Sequence, residues 1–361
     1  MKAVSVDLEK VKAYLEEILG GPVSELEAGL IGEGPDSIKG YGYGRPLLLE
    51  FQHEGEKKRF VLETMPAGEF GHEGFADRAQ VMLWKYPASL TLPNHAKSID
   101  SGAFLSDGRL ISVGKAQEFF VLTEFEEGEV YSHDLDRLAD AAQPQPLDEE
   151  RARALARYLA QIHSVKKDAP GLYVRRLREL IGHGECLMGL SDSYPSDFKV
   201  PGNLTLEDIE KKAITWRWRL KERTYRLCQE HGDFHPWNVL FGEGADLKVI
   251  DRSRGEWGEA ADDVTAMSIN YIFFSLQNHG RLAGAYERLF HLFWDTYLEA
   301  TKDKEILEVL QPFYAWRGLV VASPVWYPRL APEVREALFR FIENILETER
   351  FDPSRVNHYL S

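Results

Sequence analysis

Residues 231–241 read HGDFHPWNVLF, and after a short turn residues 247–263 read LKVIDRSRGEWGEAADD. These two stretches place histidines, aspartates and an asparagine directly beside apolar runs. Polar and ionisable side chains next to buried strands cost free energy unless they have partners or a function. Their concentration here predicts that the chemistry of the protein takes place in this part of the chain.

The same stretches predict a short β-hairpin. The apolar runs at 239–241 and 247–250 flank a Gly-containing segment, GEGAD, which is typical of two strands joined by a turn. Asn238 precedes the first strand and Asp251 follows the second, so antiparallel pairing brings them to the same end. An amide oxygen and a carboxylate are suitable ligands for Mg²⁺. Asp233, in the preceding loop, is placed to accept the proton of a substrate hydroxyl.

Three motifs in this region resemble those of a known family. His231 to Asn238 resemble the His-x-Asp-x-His-Pro-x-Asn catalytic loop of the aminoglycoside phosphotransferase and choline kinase family, whose members are relatives of protein kinases. Ile250-Asp251 resembles the second metal-ligand motif of that family, and GEAADD at 258–263 resembles the segment that usually follows. The resemblance implies an α+β, bilobal protein kinase-like fold with a small sheet-rich N-terminal lobe and a larger helical C-terminal lobe.

The resemblance also implies a role for each matching residue. Asp233 would be the catalytic base, and Asn238 and Asp251 would be the Mg²⁺ ligands. His231 belongs to the predicted catalytic set as a support that, with Asp263, ties down the catalytic loop. The implied reaction is phosphoryl transfer from ATP or another nucleoside triphosphate to the hydroxyl of a small molecule.

The rest of the sequence is compatible with two lobes. In the first, LLLEFQH (47–53) and RFVLETM (59–65) predict a hairpin about the turn EGEKK, a helix is expected near 73–86, and QEFFVLTEF (117–125) predicts another strand. A change in composition at EEGEVYS places the boundary between lobes 1–126 and 127–361. In the second lobe we expect helices at 147–164, 282–300, 306–321 and 332–347.

A glycine-rich segment, KGYGYGRP at 39–46, comes just before the first hairpin strand. A phosphate-covering loop occupies this position in a kinase-like first lobe, although alternating Gly and Tyr also form ordinary flexible turns. We assign nucleotide binding to this loop and to one residue of the hinge near 122–128, and the predicted residues are Lys39, Gly40, Gly42, Gly44 and Glu124.

Two positions depart from the family pattern. Glu63 stands where a strand Lys or Arg usually contacts the nucleotide phosphates, and it would repel them unless it is paired or turned away. Lys39 or Arg45 is expected to supply the missing positive charge. In addition, Asp251 is followed by Arg252-Ser253-Arg254, where an aromatic or acidic residue is commoner. These departures leave open a regulatory nucleotide-binding pseudokinase or a nucleotidyl-transferring variant.

Two further interpretations concern neighbouring residues. Glu256, Glu259 and Asp262 follow the metal motif, where kinases of this group often place substrate-binding acids, and a solvated face is the alternative. His231 and His235 have the four-residue spacing of transition-metal ligands on a helix. Pro236 and the adjoining strand argue against a helix at that position.

Composition limits the partners. The formal net charge of −15 argues against nonspecific nucleic-acid binding, which needs basic surface. The charged N-terminal pattern is unlike a signal peptide, and no apolar run is long enough to span a membrane. We therefore expect a cytoplasmic protein that acts on a small molecule without nucleic-acid or membrane partners. The cysteines, Cys186 and Cys228, lack metal-ligand spacing and are expected to be reduced core residues.

Overall fold

The chain folds into two compact units. The computed structural model describes residues 6–30, 46–68 and 71–361, and the units are Met1–Thr123 and Glu124–Ser361. The first unit contains an antiparallel sheet and two helices, whereas the second is mainly helical. The predicted α+β class is confirmed. None of the helices in the described ranges is long and apolar enough to cross a membrane.

A three-stranded antiparallel sheet forms the frame of the first unit. Its strands are β1 (Val23–Leu30), β2 (Leu47–His53) and β3 (Glu56–Leu62), in the order β1-β2-β3. The predicted hairpin is confirmed, but its second strand is not at 59–65. The turn is only Glu54-Gly55, both with positive φ (51° and 80°), as a two-residue turn that matches the strand twist requires. Because the turn has two residues in place of five, β3 begins earlier.

Helix α1 (Leu8–Leu19) packs against this sheet. It begins at the N-cap Asp7, whose carboxylate accepts the N–H of Glu9, and ends at Gly20 with a left-handed φ of 75°. The small core of this unit consists of Val11, Leu15, Val23, Leu49 and Phe51. The remaining elements are α2 (Phe75–Thr91), β4 (Gly102–Phe104) and β5 (Leu110–Ser112). The helix expected near 73–86 corresponds to α2.

The strand predicted at 117–125 is wrong. This segment has no regular secondary structure, and the side chains of Phe120, Val121, Leu122 and Phe125 are 85% to 92% exposed. Aromatic and β-branched residues show that a segment would suit a sheet, but a strand also needs a neighbour with which to form hydrogen bonds. No described strand pairs with this segment, which spans the division between the two units.

The second unit contains five short strands. β6 (Glu129–Val130), β8 (Val239–Phe241) and β9 (Leu247–Val249) form one sheet in the order β6-β8-β9, and β7 (Cys228–Gln229) pairs with β10 (Trp257–Gly258). The hairpin predicted from the opening stretch is therefore confirmed as β8 and β9.

Helices make up most of the second unit. In chain order they are α3 (Tyr131–Arg137), α4 (Pro146–His163), α5 (Pro170–Gly182), α6 (Leu187–Ser193), α7 (Leu206–Leu220), α8 (Ala261–His279), α9 (Gly284–Thr301), α10 (Gln311–Ala322), α11 (Pro332–Glu347) and α12 (Val356–Tyr359). α8 is buried around its whole circumference from Ala261 to Leu276, with the exception of Asp262, as expected of a central helix. α4 packs against α9, and α10 packs against α11.

All four predicted helices of this unit are present, but the one expected at 306–321 starts late. A separate 3₁₀ segment occupies Lys304–Glu308, and α10 begins at Gln311 with Pro312 in its first turn. Proline lacks a backbone N–H and is accommodated best in the first turn of a helix, where that N–H has no partner within the helix. Pro312 therefore fixes the start of α10.

A buried ion-pair cluster fastens the strands beneath the polar loop. Arg226, just before β7, contacts Glu259, just after β10, with Nη2 2.8 Å from Oε1. The same guanidinium lies 2.9 Å from Asp303 Oδ2, and the hydroxyl of Tyr173 donates to Glu259 Oε2 at 2.8 Å. Because Arg226 precedes β7 and Glu259 follows β10, the cluster joins the two antiparallel strands at one end of the pair.

We expect Glu259→Ala to destabilise the protein by about 3–5 kcal/mol, because it leaves the buried guanidinium of Arg226 without its closest partner. The free energy of unfolding from urea titration measures the loss. Glu256→Ala is the matched control, since Glu256 is exposed. A loss no larger than that of the control would show that the remaining acids compensate the charge of Arg226.

Candidate active site

The β8–β9 hairpin brings Asn238 and Asp251 to the same end. Val239 pairs with Val249, and the N–H of Ile250 donates to Asn238 O at 3.0 Å. Asn238 Nδ2 donates to Asp233 O at 3.1 Å, so Oδ1 is the atom that remains as an oxygen ligand. Asp251 is exposed and has a left-handed φ of 59°, which costs a non-glycine residue about 1–2 kcal/mol. An exposed carboxylate and an amide oxygen at the same hairpin end are the kinds of ligand that Mg²⁺ takes in proteins.

The loop between β7 and β8 is held from below by Asp263, in the first turn of α8. Its Oδ2 accepts the N–H of His231 and its Oδ1 accepts the N–H of Gly232, both at 2.8 Å. His163 Nε2 lies 3.1 Å from Oδ2. Burial alone would raise the pKa of Asp263, but the hydrogen bond and charge of His163 and the loop N–H groups lower it. Asp263 is therefore an ionised, completely buried anchor for the loop.

His231 ties this loop to the hairpin. Its Nδ1 accepts the N–H of Asp233 at 3.3 Å, and its Nε2 lies 3.0 Å from the carbonyl oxygen of Ile250, to which it donates. Burial lowers the pKa of His231, although Asp263 opposes the shift. Both ring nitrogens of the neutral imidazole are thus occupied by the protein itself. His231 cannot serve as a transition-metal ligand in this arrangement.

Asp233 is paired with an arginine from α10. Arg317 Nη1 lies 2.6 Å from Asp233 Oδ1, and Arg317 Nη2 lies 2.5 Å from Asp262 Oδ1 and donates to Gly232 O at 3.0 Å. The side chain of Arg317 is only 6% exposed. Burial alone would raise the pKa of Asp233, but His235 and the charges of Arg317 and Arg254 lower it well below its usual range. Asp233 is therefore ionised at neutral pH with a fixed orientation.

Two more arginines follow the hairpin. Arg252 donates to the carbonyl oxygens of Glu230 and Glu256 at 2.6–2.9 Å. Arg254 extends towards Asp233, and its Nη2 lies 3.8 Å from Oδ2 of that residue. The guanidinium carbons of Arg254 and Arg317 lie 5.0 and 3.8 Å from the ring centre of Trp316. This indole ring positions both arginines beside Asp233.

A buried carboxyl group lies directly before the loop. Glu230 is 4% exposed, and its Oε2 has no hydrogen-bond partner among the described residues. Burial and the nearby charges of Asp262 and Asp263 raise the pKa of Glu230 well above its usual range. A Cβ on Gly258 would lie 2.0 Å from Glu230 Oε1, so the close approach of β10 requires glycine at this position.

The comparison with known proteins identifies the family. Residues 53–301, more than half of the chain, match the APH phosphotransferase enzyme family. The chain belongs to this family. The predicted resemblance is confirmed, and the antiparallel N-terminal sheet with a helical C-terminal region is the protein kinase-like APH fold. No curated protein matches the chain in sequence.

Three solved kinase structures match the chain over most of its length. An ethanolamine kinase of Plasmodium vivax is 14% identical, with 93% of this chain and 80% of that chain covered and a TM-score of 0.37. The amicoumacin kinase hAmiN is 13% identical, with coverages of 91% and 94% and a TM-score of 0.40. The choline kinase LicA from Streptococcus pneumoniae is 10% identical, with coverages of 94% and 98% and a TM-score of 0.33. Since these scores are low, the family assignment rests on residues 53–301.

Lys39, Gly40, Gly42, Gly44 and Arg45 lie outside the described residues. Glu124 lies in the exposed segment without regular secondary structure. Their roles stay predictions.

Four acidic residues that the sequence analysis singled out have partners. Glu63 forms an ion pair with Lys85 on α2. Because its charge is paired, Glu63 need not repel the nucleotide phosphates. Of the acids considered for substrate binding, Glu259 is buried against Arg226 and Asp262 is paired with Arg317. Glu256 is exposed and accepts the indole N–H of Trp257 at 3.1 Å.

The sequence reasoning missed Arg317 and His163, two basic residues that contact Asp233 and Asp263. Both had a signal. Arg317 is the one charged residue in the apolar segment PFYAWRGLVVA, and a charge in a buried helix requires a partner. His163 ends α4 on its buried face. The described residues contain no group of three or more His, Cys, Asp or Glu that could hold a metal. Cys186 and Cys228 are free and buried, as predicted.

Glu230→Gln should weaken the pH dependence of stability. The raised pKa means that protonation of Glu230 stabilises the fold fully below about pH 4.5, and this contribution is lost as pH rises towards the pKa in the folded protein. A neutral amide removes that slope, which reaches about 1.4 kcal/mol per pH unit for one group. Urea titrations from about pH 5 to about pH 9 measure it. Glu222→Gln, at an exposed position, is the control. Equal slopes in both variants would contradict the assignment.

Proposed function

We propose that this APH-family protein transfers the terminal phosphoryl group of ATP or another nucleoside triphosphate to the hydroxyl of a small molecule, with Mg²⁺. The observation that carries the proposal is the linkage of Asn238 Nδ2 to Asp233 O at 3.1 Å at the end of the β8–β9 hairpin. This contact joins the proposed base to the proposed metal ligands, and Asp251 emerges at the same hairpin end.

The proposed step uses Asp233 as proton acceptor. The acceptor oxygen forms a bond to the terminal phosphorus while the bond between that phosphorus and the bridging oxygen of the nucleoside diphosphate breaks. The hydroxyl proton passes to Asp233 and then to solvent. Because its pKa is low, Asp233 is a weak base that mainly orients the hydroxyl. This suits a loose transition state in which the proton leaves late.

The metal would be held by Asn238 Oδ1 and Asp251. When bound, Mg²⁺ would neutralise phosphate oxygens and keep several water ligands of its own. The residues around the site have separate tasks: Asp263 and His231 hold the loop backbone, and Arg317 holds Asp233. We also propose that Lys39, Gly40, Gly42, Gly44 and Glu124 bind the nucleotide.

The alternatives are a regulatory pseudokinase and a nucleotidyl-transferring enzyme. The ionised, oriented state of Asp233 favours catalysis over regulation, because a protein that only binds nucleotide has no need for a buried arginine fixing this carboxylate. Identification of the released nucleotide product separates phosphoryl from nucleotidyl transfer. The proposal includes a cytoplasmic location, with which the free cysteines are compatible.

Asp233→Asn should lower turnover by about two orders of magnitude or more, while the affinity for nucleotide changes little. The amide keeps the size of the side chain but removes the proton acceptor. Release of nucleoside diphosphate with a metabolite and antibiotic panel measures turnover, and calorimetry measures affinity. Asp192→Asn, at an exposed position of α6, is the control. Turnover close to that of the parent protein would exclude Asp233 as the base.

Asp251→Ala should weaken nucleotide binding in the presence of Mg²⁺, because it removes a charged ligand shared with the phosphates. Binding without Mg²⁺ should stay the same. Calorimetric titrations with and without the metal test this, and Asp246→Ala, in the turn of the same hairpin, is the control. If the two variants bind nucleotide equally in both conditions, the hairpin end is not the metal site.

A further inference from the structure

We propose that the acceptor carries an anionic group, a carboxylate or a phosphate, close to the hydroxyl that reacts, and that Arg254 binds this group. The inference rests on the proposed phosphotransferase reaction, which it extends by naming the chemical class of the acceptor. It follows from the position of Arg254, its unused donors and the ion pairs of the neighbouring acids.

The first observation is which oxygen of Asp233 remains for the substrate. Oδ1 is held by Arg317 Nη1 at 2.6 Å, whereas Oδ2 has only longer contacts, to His235 Nε2 at 3.6 Å and to Arg254 Nη2 at 3.8 Å. A hydroxyl that gives its proton to Asp233 must come within about 3 Å of Oδ2. The acceptor therefore lies beside the guanidinium of Arg254.

The second observation is that the donors of Arg254 are largely unused. Its Nε is buried without a hydrogen-bond partner among the described residues, and its Nη1 contacts only the weak acceptor Cys186 Sγ at 3.8 Å. Besides Asp233, its carboxylate contact is Glu185, also at 3.8 Å, whose side chain is 66% exposed. A guanidinium has five donors in a planar fork that suits carboxylate and phosphate groups.

Of the three arginines Arg252, Arg254 and Arg317, Arg254 is the one that is both accessible and able to bind a ligand through its guanidinium. Arg317 is almost completely buried and both of its terminal nitrogens are occupied. Arg252 donates to two backbone carbonyl oxygens. Arg254 is 23% exposed, and Trp316 fixes the plane against which it packs.

The third observation concerns the acids that would attract a cationic acceptor. Glu259 is paired with Arg226 and accepts a hydrogen bond from Tyr173, and Asp262 is paired with Arg317. These two carboxylates are therefore not free to bind a cation beside Asp233. A cation bound beside the reacting hydroxyl would be repelled by Arg254.

The test uses matched alcohols that differ in one charged group: glycerate, glycerol 3-phosphate, glycerol and 2-aminopropane-1,3-diol, with a second set of glucuronate, glucose 6-phosphate, glucose and glucosamine. Binding is measured by calorimetry with the Mg²⁺ complex of a non-hydrolysable ATP analogue present, and turnover by release of nucleoside diphosphate. In at least one set, the anionic members should bind about tenfold or more tightly than the neutral member, and the cationic member should bind most weakly. The carboxylate and phosphate arms show which anion is preferred.

Arg254→Met should abolish this anionic advantage while binding of the neutral member changes less than about twofold. Arg254→Lys should restore part of it, because the charge returns without the planar fork. Arg157→Met, at an exposed position of α4, is the matched control and should retain the full advantage. Melting temperatures of the variants show whether each one is folded.

Three results would overturn the inference. The anionic members could show no advantage in either set, including the case in which none of them binds. The advantage could persist in Arg254→Met. Or Arg254→Met could slow nucleotide consumption equally with every acceptor and with water, which would assign Arg254 to the transferred phosphoryl group. Each leaves the phosphotransferase proposal standing as long as the protein binds and consumes nucleotide with Mg²⁺, whereas absence of both would reject that proposal itself.

Discussion

The two hydrogen bonds that Asp263 accepts from the backbone of His231 and Gly232 determine where every reactive group lies. They fix the start of the loop, and Asp233 and Asn238 follow within seven residues. Gly232 has a left-handed φ of 86°, and a Cβ there would lie 3.1 Å from Arg254 Cβ. The tight path of the loop therefore depends on a glycine as well as on a buried carboxylate. Because Asp263 belongs to the central helix α8, the loop is attached to the most deeply buried part of the unit.

The buried charges of this region form one connected set. Arg317 faces two carboxylates, Asp233 and Asp262, from the apolar surface of α10. Burial and the charge of Asp263 raise the pKa of Asp262, although Arg317 and Arg254 oppose the shift. The pKa of Asp233 is lowered, because His235 adds a hydrogen bond to the effect of the same two arginines. Asp233 is thus the carboxylate that the surrounding cations favour as an anion. Buried ion pairs of this kind contribute little net stability, so their presence beside the loop is better explained by function than by folding.

The sequence predicted the polar end of the hairpin because that geometry is local. Antiparallel pairing alone brings Asn238 and Asp251 together, and the long helices follow from their periodic apolar residues. The contacts of Asp233 and Asp263 with Arg317 and His163 could not be predicted, because they join residues 84 and 100 positions apart and depend on how helices pack. The failed strand at 117–125 has the same cause. Its composition suits a sheet, but pairing requires a neighbour that composition cannot specify.

The two departures from the APH pattern have different physical meanings. Glu63 is matched by Lys85, a pair that is half exposed on both sides and contributes little energy. This ion pair neutralises the charge of Glu63 and leaves no charge for a ligand to bind. Arg254 has no equivalent partner, since it is placed by an aromatic ring and its nearest carboxylates lie at 3.8 Å. A charge that the fold positions but does not neutralise keeps its capacity to bind an ion of opposite sign. Of the two departures, Arg254 is therefore the one that distinguishes what this chain can bind next to its reactive carboxylate.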